Sequence, residues 1–169
     1  MVPATSKTVL VTGGAGYIGS VLTRHLLSRG YNVIVADSLL FGGESLLDLV
    51  GLPAFTFARV DVTKTEDLVE LFTGQRFDAV VHLASIVGDP ACKASPDLAR
   101  STIWDGSRKV FELCQSHEVS KFIFASTCSN YGKMASGDML TEDAPLRPVS
   151  LYAELKVKFE QYLLDQSGP

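Results

Sequence analysis

KTVLVTGGAGYIGS, Lys7 to Ser20, is the stretch whose reading decides the fold. Lys7–Thr12 (KTVLVT), rich in β-branched residues around an apolar Val-Leu-Val centre, predicts a buried strand. The glycines follow at once. Gly14, Gly16 and Gly19 satisfy G-x-G-x-x-G, while Gly13, Gly16 and Gly19 satisfy G-x-x-G-x-x-G. In either register the missing side chains permit a tight turn and close approach of a pyrophosphate to a helix N-terminus. There the free N–H groups and the helix dipole favour negative charge. The helix itself is predicted over Gly16–Ser28, closed by Gly30. A second strand, Tyr31–Ala36, ends in Asp37, whose carboxylate can accept hydrogens from both ribose hydroxyls and repels a 2′-phosphate. That favours NAD over NADP.

Outward from this unit, strands alternate with amphipathic stretches. A short helix is predicted over Glu44–Val50, a third strand over Phe55–Val60 and a helix over Thr65–Thr73. A fourth strand is predicted over Phe77–Leu83, a long helix over Pro96–His117, a fifth strand over Lys121–Ser126 and a last helix over Ser150–Leu164. Nearly continuous apolar strands separated by helices imply a parallel α/β sheet covered on both faces, a Rossmann-type doubly wound fold of order 3-2-1-4-5. Ligands then bind at the carboxyl ends of the strands. Asp61-Val62 follows strand 3, where a polar–apolar pair could meet the edge and face of adenine. Leu83-Ala84-Ser85 ends strand 4, where small residues allow close approach to the middle of the cofactor. His82, inside a buried strand, reads as a core histidine.

Composition excludes several classes. The 169 residues suit one domain, and 46% apolar residues are enough to fill its core. A net charge of -4 gives no nucleic-acid footprint. No apolar run reaches membrane-spanning length and the N-terminus has no leader-like core, so a cytoplasmic protein is expected. Cys92, Cys114 and Cys128 have neither metal-ligand spacing nor a paired motif, and read as thiols in a reducing compartment.

Tyr152-Ala153-Glu154-Leu155-Lys156 sets Tyr152 and Lys156 four apart, on one helical face. A neighbouring ammonium favours the phenolate, so Tyr152 is expected to have a lowered pKa and to serve as a general base. Lys156 can also bond the nicotinamide ribose. Ser126–Gly132 (STCSNYG) brings hydroxyls to the end of strand 5, near the same substrate oxygen.

These four ordered motifs, TGGAGYIG, HLAS, STCSNYG and YAELK, resemble the extended short-chain dehydrogenase/reductases, and within them the NAD-dependent epimerase/dehydratase family of sugar-nucleotide enzymes. The resemblance covers essentially the whole chain. It implies a cofactor site of Gly13, Gly16, Tyr17, Ile18, Gly19, Asp37, Asp61, Val62, Leu83, Ala84 and Ser85, with Tyr152 and Lys156. It implies catalysis by Tyr152 as base, Lys156 as its partner and Thr127 as the hydroxyl that steadies the substrate oxygen. The substrate would be a nucleotide-sugar oxidised at a hydroxyl by hydride transfer to NAD.

Dehydratases of this family carry Asp-Glu after that hydroxyl. Here Cys128-Ser129 stand instead, which favours epimerase or ketoreductase chemistry. Ile103 occupies a position where many relatives have Asn. The resemblance also implies a chain cut before strand 6, competent for cofactor binding only, with the C-terminal substrate domain absent. A homodimer is expected through the long helix and the last helix, with Val110, Phe111, Val157 and Leu164 as apolar contacts. The rivals are a non-sugar carbonyl or hydroxysteroid-type reductase and a catalytically silent NAD-binding module.

Overall fold

In the computed structural model, residues 7–133 and 140–166 are described. The stretch read for a leader lies almost wholly outside them. Five parallel strands, β1 (Thr8–Thr12), β2 (Asn32–Asp37), β3 (Phe55–Arg59), β4 (Ala79–His82) and β5 (Lys121–Phe124), pair in the order β3-β2-β1-β4-β5. This is the expected doubly wound order. The register pairs Thr12 with both Ala36 and His82, so the strand ends that carry the motifs lie side by side.

Side chains alternate across the sheet. Val9, Val11, Val33, Val35 and Val81 point to one face, beneath Leu22, Leu26 and Leu27 of α1 (Tyr17–Ser28) and Leu46 and Leu49 of a 3-10 helix (Glu44–Leu49). Leu10, Ile34, Ala36 and Val80 point to the other face. They meet Leu68, Leu71 and Phe72 of α2 (Thr65–Gly74) and Val110 and Cys114 of α5 (Ser107–Ser116). Last in the chain comes α6 (Leu151–Leu164), whose Phe159 sits edge-on to Phe124 at 4.8 Å.

Two features depart from expectation. A short helix, α3 (Asp89–Ala94), precedes the long one. The long helix begins as α4 (Pro96–Arg100), widens into a π-helical stretch, Ser101–Gly106, and continues as α5. Within that stretch Gly106 abuts Val62: a Cβ there would stand 2.9 Å from the Val62 carbonyl oxygen. Three of the four residues expected as intersubunit contacts are not available at the surface. Val110, Phe111 and Val157 are buried within this chain, and of the four only Leu164 is exposed. Among the described residues, no helix is long and apolar enough to cross a membrane.

Candidate functional site

The glycine-rich turn is shaped by contacts that a side chain would break. Gly13 has φ +69°, and a Cβ on it would stand 2.6 Å from the Ala84 nitrogen, so the exits of β1 and β4 press together only because it is glycine. Gly19 is packed as tightly, against Gly13 and Gly14. Gly16 differs. It is exposed, and a Cβ there would meet only the Gly13 carbonyl, at 3.2 Å. It caps α1 with backbone alone, leaving the first-turn N–H groups of Tyr17, Ile18 and Gly19 at the helix's positive end. The Tyr17 and Ile18 side chains are exposed. The turn is therefore an open, side-chain-free cradle at a helix N-terminus, and it fits a pyrophosphate.

Asp37 braces this cradle. Its Oδ2 accepts the Ala15 N–H at 3.0 Å and its Oδ1 the Leu39 N–H at 2.8 Å. Each oxygen keeps a lone pair, so the half-buried carboxylate can still accept from ribose hydroxyls. Ser45 Oγ donates to the Ala15 carbonyl at 2.7 Å, and Arg24 donates to the Ser45 carbonyl at 2.6 Å and pairs with Asp48. The segment after β2 is thus stapled to the turn. After β3, Asp61 Oδ1 accepts the Thr63 N–H and hydroxyl, at 3.0 and 2.8 Å. Val62 is buried under Gly106, leaving Asp61 as the more open member of the pair.

Leu83, Ala84 and Ser85 leave β4 half-buried beside the turn. The Leu83 N–H donates to the Thr12 carbonyl at 3.0 Å, and the Ala84 N–H to Thr12 Oγ1 at 3.3 Å. His82 is a core histidine, as its strand implied. Its Nδ1 lies 2.7 Å from Thr12 Oγ1 and its Nε2 lies 2.8 Å from Ser107 Oγ. Burial, with the Lys156 charge as a second cause, pushes its pKa down to about 3.

The β5 exit and α6 bring the three chemical residues together. Thr127 Oγ1 accepts the Ser129 N–H at 3.2 Å, capping a 3-10 turn (Cys128–Tyr131) and leaving its own hydroxyl hydrogen to donate elsewhere. Lys156, 3% exposed, donates from Nζ to the Ala125 carbonyl at 3.0 Å. Its Nζ lies 4.5 Å from the Phe124 ring centroid and 5.8 Å from that of Tyr152. Burial lowers its pKa to about 8.

Tyr152 departs from expectation: its pKa is raised, not lowered. Burial is the largest cause, and a hydrogen-bonding Thr127 hydroxyl pulls only partly the other way. The ammonium that was expected to favour the phenolate is committed to Ala125. Beneath Tyr152 lie Ile86, Cys92, Leu155 and a fully buried Ile103, so position 103 is aliphatic core. Burial raises the Cys92 and Cys114 thiols, the latter to about 12. All three cysteines are free and only Cys128 is exposed. Among the described residues no three His, Cys, Asp or Glu side chains cluster as a metal site.

Sequence reading missed Ser107, the second partner of His82, and the Ser126–Asn130–Glu160 contacts beside Thr127. The one available signal was Glu160, one turn beyond Lys156 on the same helical face.

Known proteins are similar to this chain in sequence and in fold. Rice UDP-glucose 4-epimerase 4 is 36% identical over 167 residues, covering 95% of this chain and 45% of its own length. A putative UDP-arabinose 4-epimerase of Arabidopsis thaliana is 33% identical over 166 residues, covering 94% of this chain and 37% of its own. The chain thus spans less than half the length of these curated relatives. Among solved structures, the NAD complex of Thermus thermophilus UDP-glucose 4-epimerase superposes with a TM-score of 0.85 at 35% identity, over 93% of this chain and 50% of that one. The UDP-Glc/GlcNAc 4-epimerase of Campylobacter jejuni gives 0.88 at 31% identity, over 95% and 49%. The family model for NAD-dependent epimerases and dehydratases matches residues 9–167, from β1 through the whole of α6. With the fold, the glycine cradle and the Tyr152–Lys156 helix all falling inside that match, the chain belongs to the NAD-dependent epimerase/dehydratase family.

Proposed function

We propose that these 169 residues carry the NAD-binding and proton-transfer half of a nucleotide-sugar epimerase, with a UDP-sugar as substrate and inversion at a sugar carbon as outcome. The observation that carries this reading is the shared location of two devices. The open Gly16 cradle and the Thr127–Tyr152–Lys156 group both stand at the carboxyl ends of the strands. The relatives named for UDP-sugar 4-epimerisation support the substrate class.

Each residue then has a task. Gly13, Gly16 and Gly19, with the first N–H groups of α1, hold the pyrophosphate, and Asp37 the adenosine ribose. Asp61 and Val62 flank adenine, and Leu83, Ala84 and Ser85 line the middle of the site. NAD supplies a hydride acceptor and a positively charged ring. Tyr152 moves a proton between its phenol oxygen and the sugar hydroxyl, and Thr127 steadies that oxygen with its free hydrogen. Lys156 bonds the nicotinamide ribose and holds positive charge beside Tyr152. Cys128 and Ser129 cannot serve as an acid–base pair for water elimination, which favours epimerisation. Ile103 carries no proton.

Calorimetric titration with NAD is the direct test. Saturable one-to-one binding is expected, and no binding at millimolar NAD rejects the reading. Product chromatography with UDP-sugars is expected to show no turnover by the 169-residue chain. Holding the sugar in an attack geometry is a large part of catalysis, and the relatives named for the reaction are about twice as long. Steady turnover would overturn that part of the proposal.

A further inference from the structure

Three residues at successive turns of α6, Tyr152, Lys156 and Glu160, face the exit of β5. Lys156 Nζ donates to the Ala125 carbonyl at 3.0 Å and Glu160 accepts from Ser126 and Asn130, while the Thr127 hydroxyl acts on the Tyr152 phenol and favours its ionised form. Tyr152 and Lys156 belong to the proposed chemistry. Glu160 does not, and it is the most densely bonded. Glu160 Oε2 accepts the Ser126 hydroxyl at 2.6 Å and Asn130 Nδ2 at 2.9 Å, while Asn130 Nδ2 also donates to Ser126 Oγ at 2.9 Å.

Asn130 is 3% exposed, and its backbone is engaged as well. Its N–H donates to the Thr127 carbonyl at 3.3 Å and its carbonyl accepts the Arg147 N–H at 2.8 Å. Thr127 therefore sits in a short loop clamped on both sides, by Ser126 before it and Asn130 after it, and both clamps close on one carboxylate oxygen. Hydrogen bonds to an ionised acceptor are among the stronger ones, and the Asn130 contact is partly shielded from water.

We infer that Glu160 is a positioning residue: through Ser126 and Asn130 it holds the Thr127 hydroxyl in register with the Tyr152 phenol, so that α6 carries both the proton-transferring group and the anchor that aligns its partner. This deepens the proposed function and rests on its reading of Thr127 and Tyr152.

The test reads the phenol of Tyr152 in the 169-residue chain. Its phenolate absorbance is followed against pH, with Tyr152→Phe subtracted to remove the other tyrosines. Two variants separate charge from position. Glu160→Gln removes the negative charge but keeps an acceptor of the same reach. Glu160→Ala removes both. Losing a nearby negative charge alone lowers a phenol's pKa, whereas losing the Thr127 hydrogen bond raises it. Glu160→Ala is expected to titrate above Glu160→Gln by about half a pH unit or more.

Coincident titrations in the two folded variants overturn the inference. If Glu160→Ala does not fold, the exposed Ser126→Ala replaces it, with an upward shift expected against the unaltered chain and no shift overturning the inference. Calorimetry with NAD on the unaltered chain keeps the two claims apart. A chain that ignores NAD but shows the Ala–Gln difference sinks the proposed function and leaves the anchor standing.

Discussion

His82 Nδ1 lies 2.7 Å from Thr12 Oγ1 in the middle of the sheet, and both residues are fully buried. The same Thr12 oxygen accepts the Ala84 N–H, and the other ring nitrogen meets Ser107 on α5. A polar chain thus runs from the residue just before Gly13, through β4, to the helix that follows the π-helical stretch. It ties the cradle's rim to the opposite layer, and its ring must be neutral.

That neutrality predicts an acid weakness. The His82 pKa is lowered from 6.5 to about 3, so below pH 6.5 the unfolded chain binds a proton that the folded chain refuses. Stability therefore falls as pH drops from 6.5 towards about 3, by about 1.4 kcal/mol per pH unit from this group at most. Urea unfolding of the unaltered chain and of His82→Gln between pH 7 and 4 measures it. The curves should converge as pH falls; parallel curves remove His82 as the cause.

Lys156 has the opposite window. Burial lowers its pKa from 10.5 to about 8, so between those values the unfolded chain holds a proton that the folded chain has released. This contribution makes stability rise with pH above about 8, and below that pH the buried charge costs its full amount. The Cys114 thiol, raised to about 12, works the other way above its ordinary value of 9.0, so the clean interval is pH 8 to 9. Lys156→Met removes the charge and keeps the stem. It is expected to be more stable than the unaltered chain at pH 7 by about 1–2 kcal/mol, the gap narrowing by pH 9. Thermal melts across that range decide it, and a gap constant with pH contradicts the assignment.

Much of this was legible in the sequence, for identifiable reasons. Leu10, Ile34 and Val80 sit in apolar runs that only a two-sided sheet can bury, so strand order followed from alternation and the glycine turn. Helix α3 was not legible. Its six residues begin Asp89-Pro90 and run into Ser95-Pro96, which reads as the start of the next helix; packing of Cys92 beside Ile103 and Leu155 makes it a helix. The π-helical stretch was hidden too, because the approach of Gly106 to Val62 is a tertiary fact. On the site, spacing placed Tyr152 and Lys156 on one face but said nothing of burial, and burial reversed the expected direction of the Tyr152 shift. Glu160 drew no reading, because its partners Ser126 and Asn130 lie 34 and 30 residues away.

Cofactor choice rests on Asp37. A 2′-phosphate brought to a carboxylate already fixed by the Ala15 and Leu39 N–H groups would meet like charge that cannot swing aside. NAD is expected to bind at least tenfold more tightly than NADP, which corresponds to about 1.4 kcal/mol. Calorimetry with both dinucleotides compares them. Asp37→Asn should narrow the ratio, and equal affinities in the unaltered chain would end the argument.

The two kinds of glycine in the cradle should separate stability from binding. At Gly13 an alanine methyl would stand 2.6 Å from the Ala84 nitrogen with φ at +69°. The left-handed backbone alone costs about 1–2 kcal/mol, and the overpacking about 1–3 more. Gly13→Ala is therefore expected to lose stability on the order of 2–5 kcal/mol, whether or not NAD is present. Gly16 has φ −74° and meets only the Gly13 carbonyl, at 3.2 Å, so an alanine there fits the fold with less than about 1 kcal/mol of change. Its methyl, however, would stand on the exposed face of the turn, beside the first N–H groups of α1 that are to hold the pyrophosphate. Gly16→Ala should melt close to the unaltered chain and yet lose NAD affinity by at least tenfold. Melting curves and NAD titrations on both variants give four readings. If Gly16→Ala binds NAD as tightly as the unaltered chain, the pyrophosphate does not sit at the N-terminus of α1.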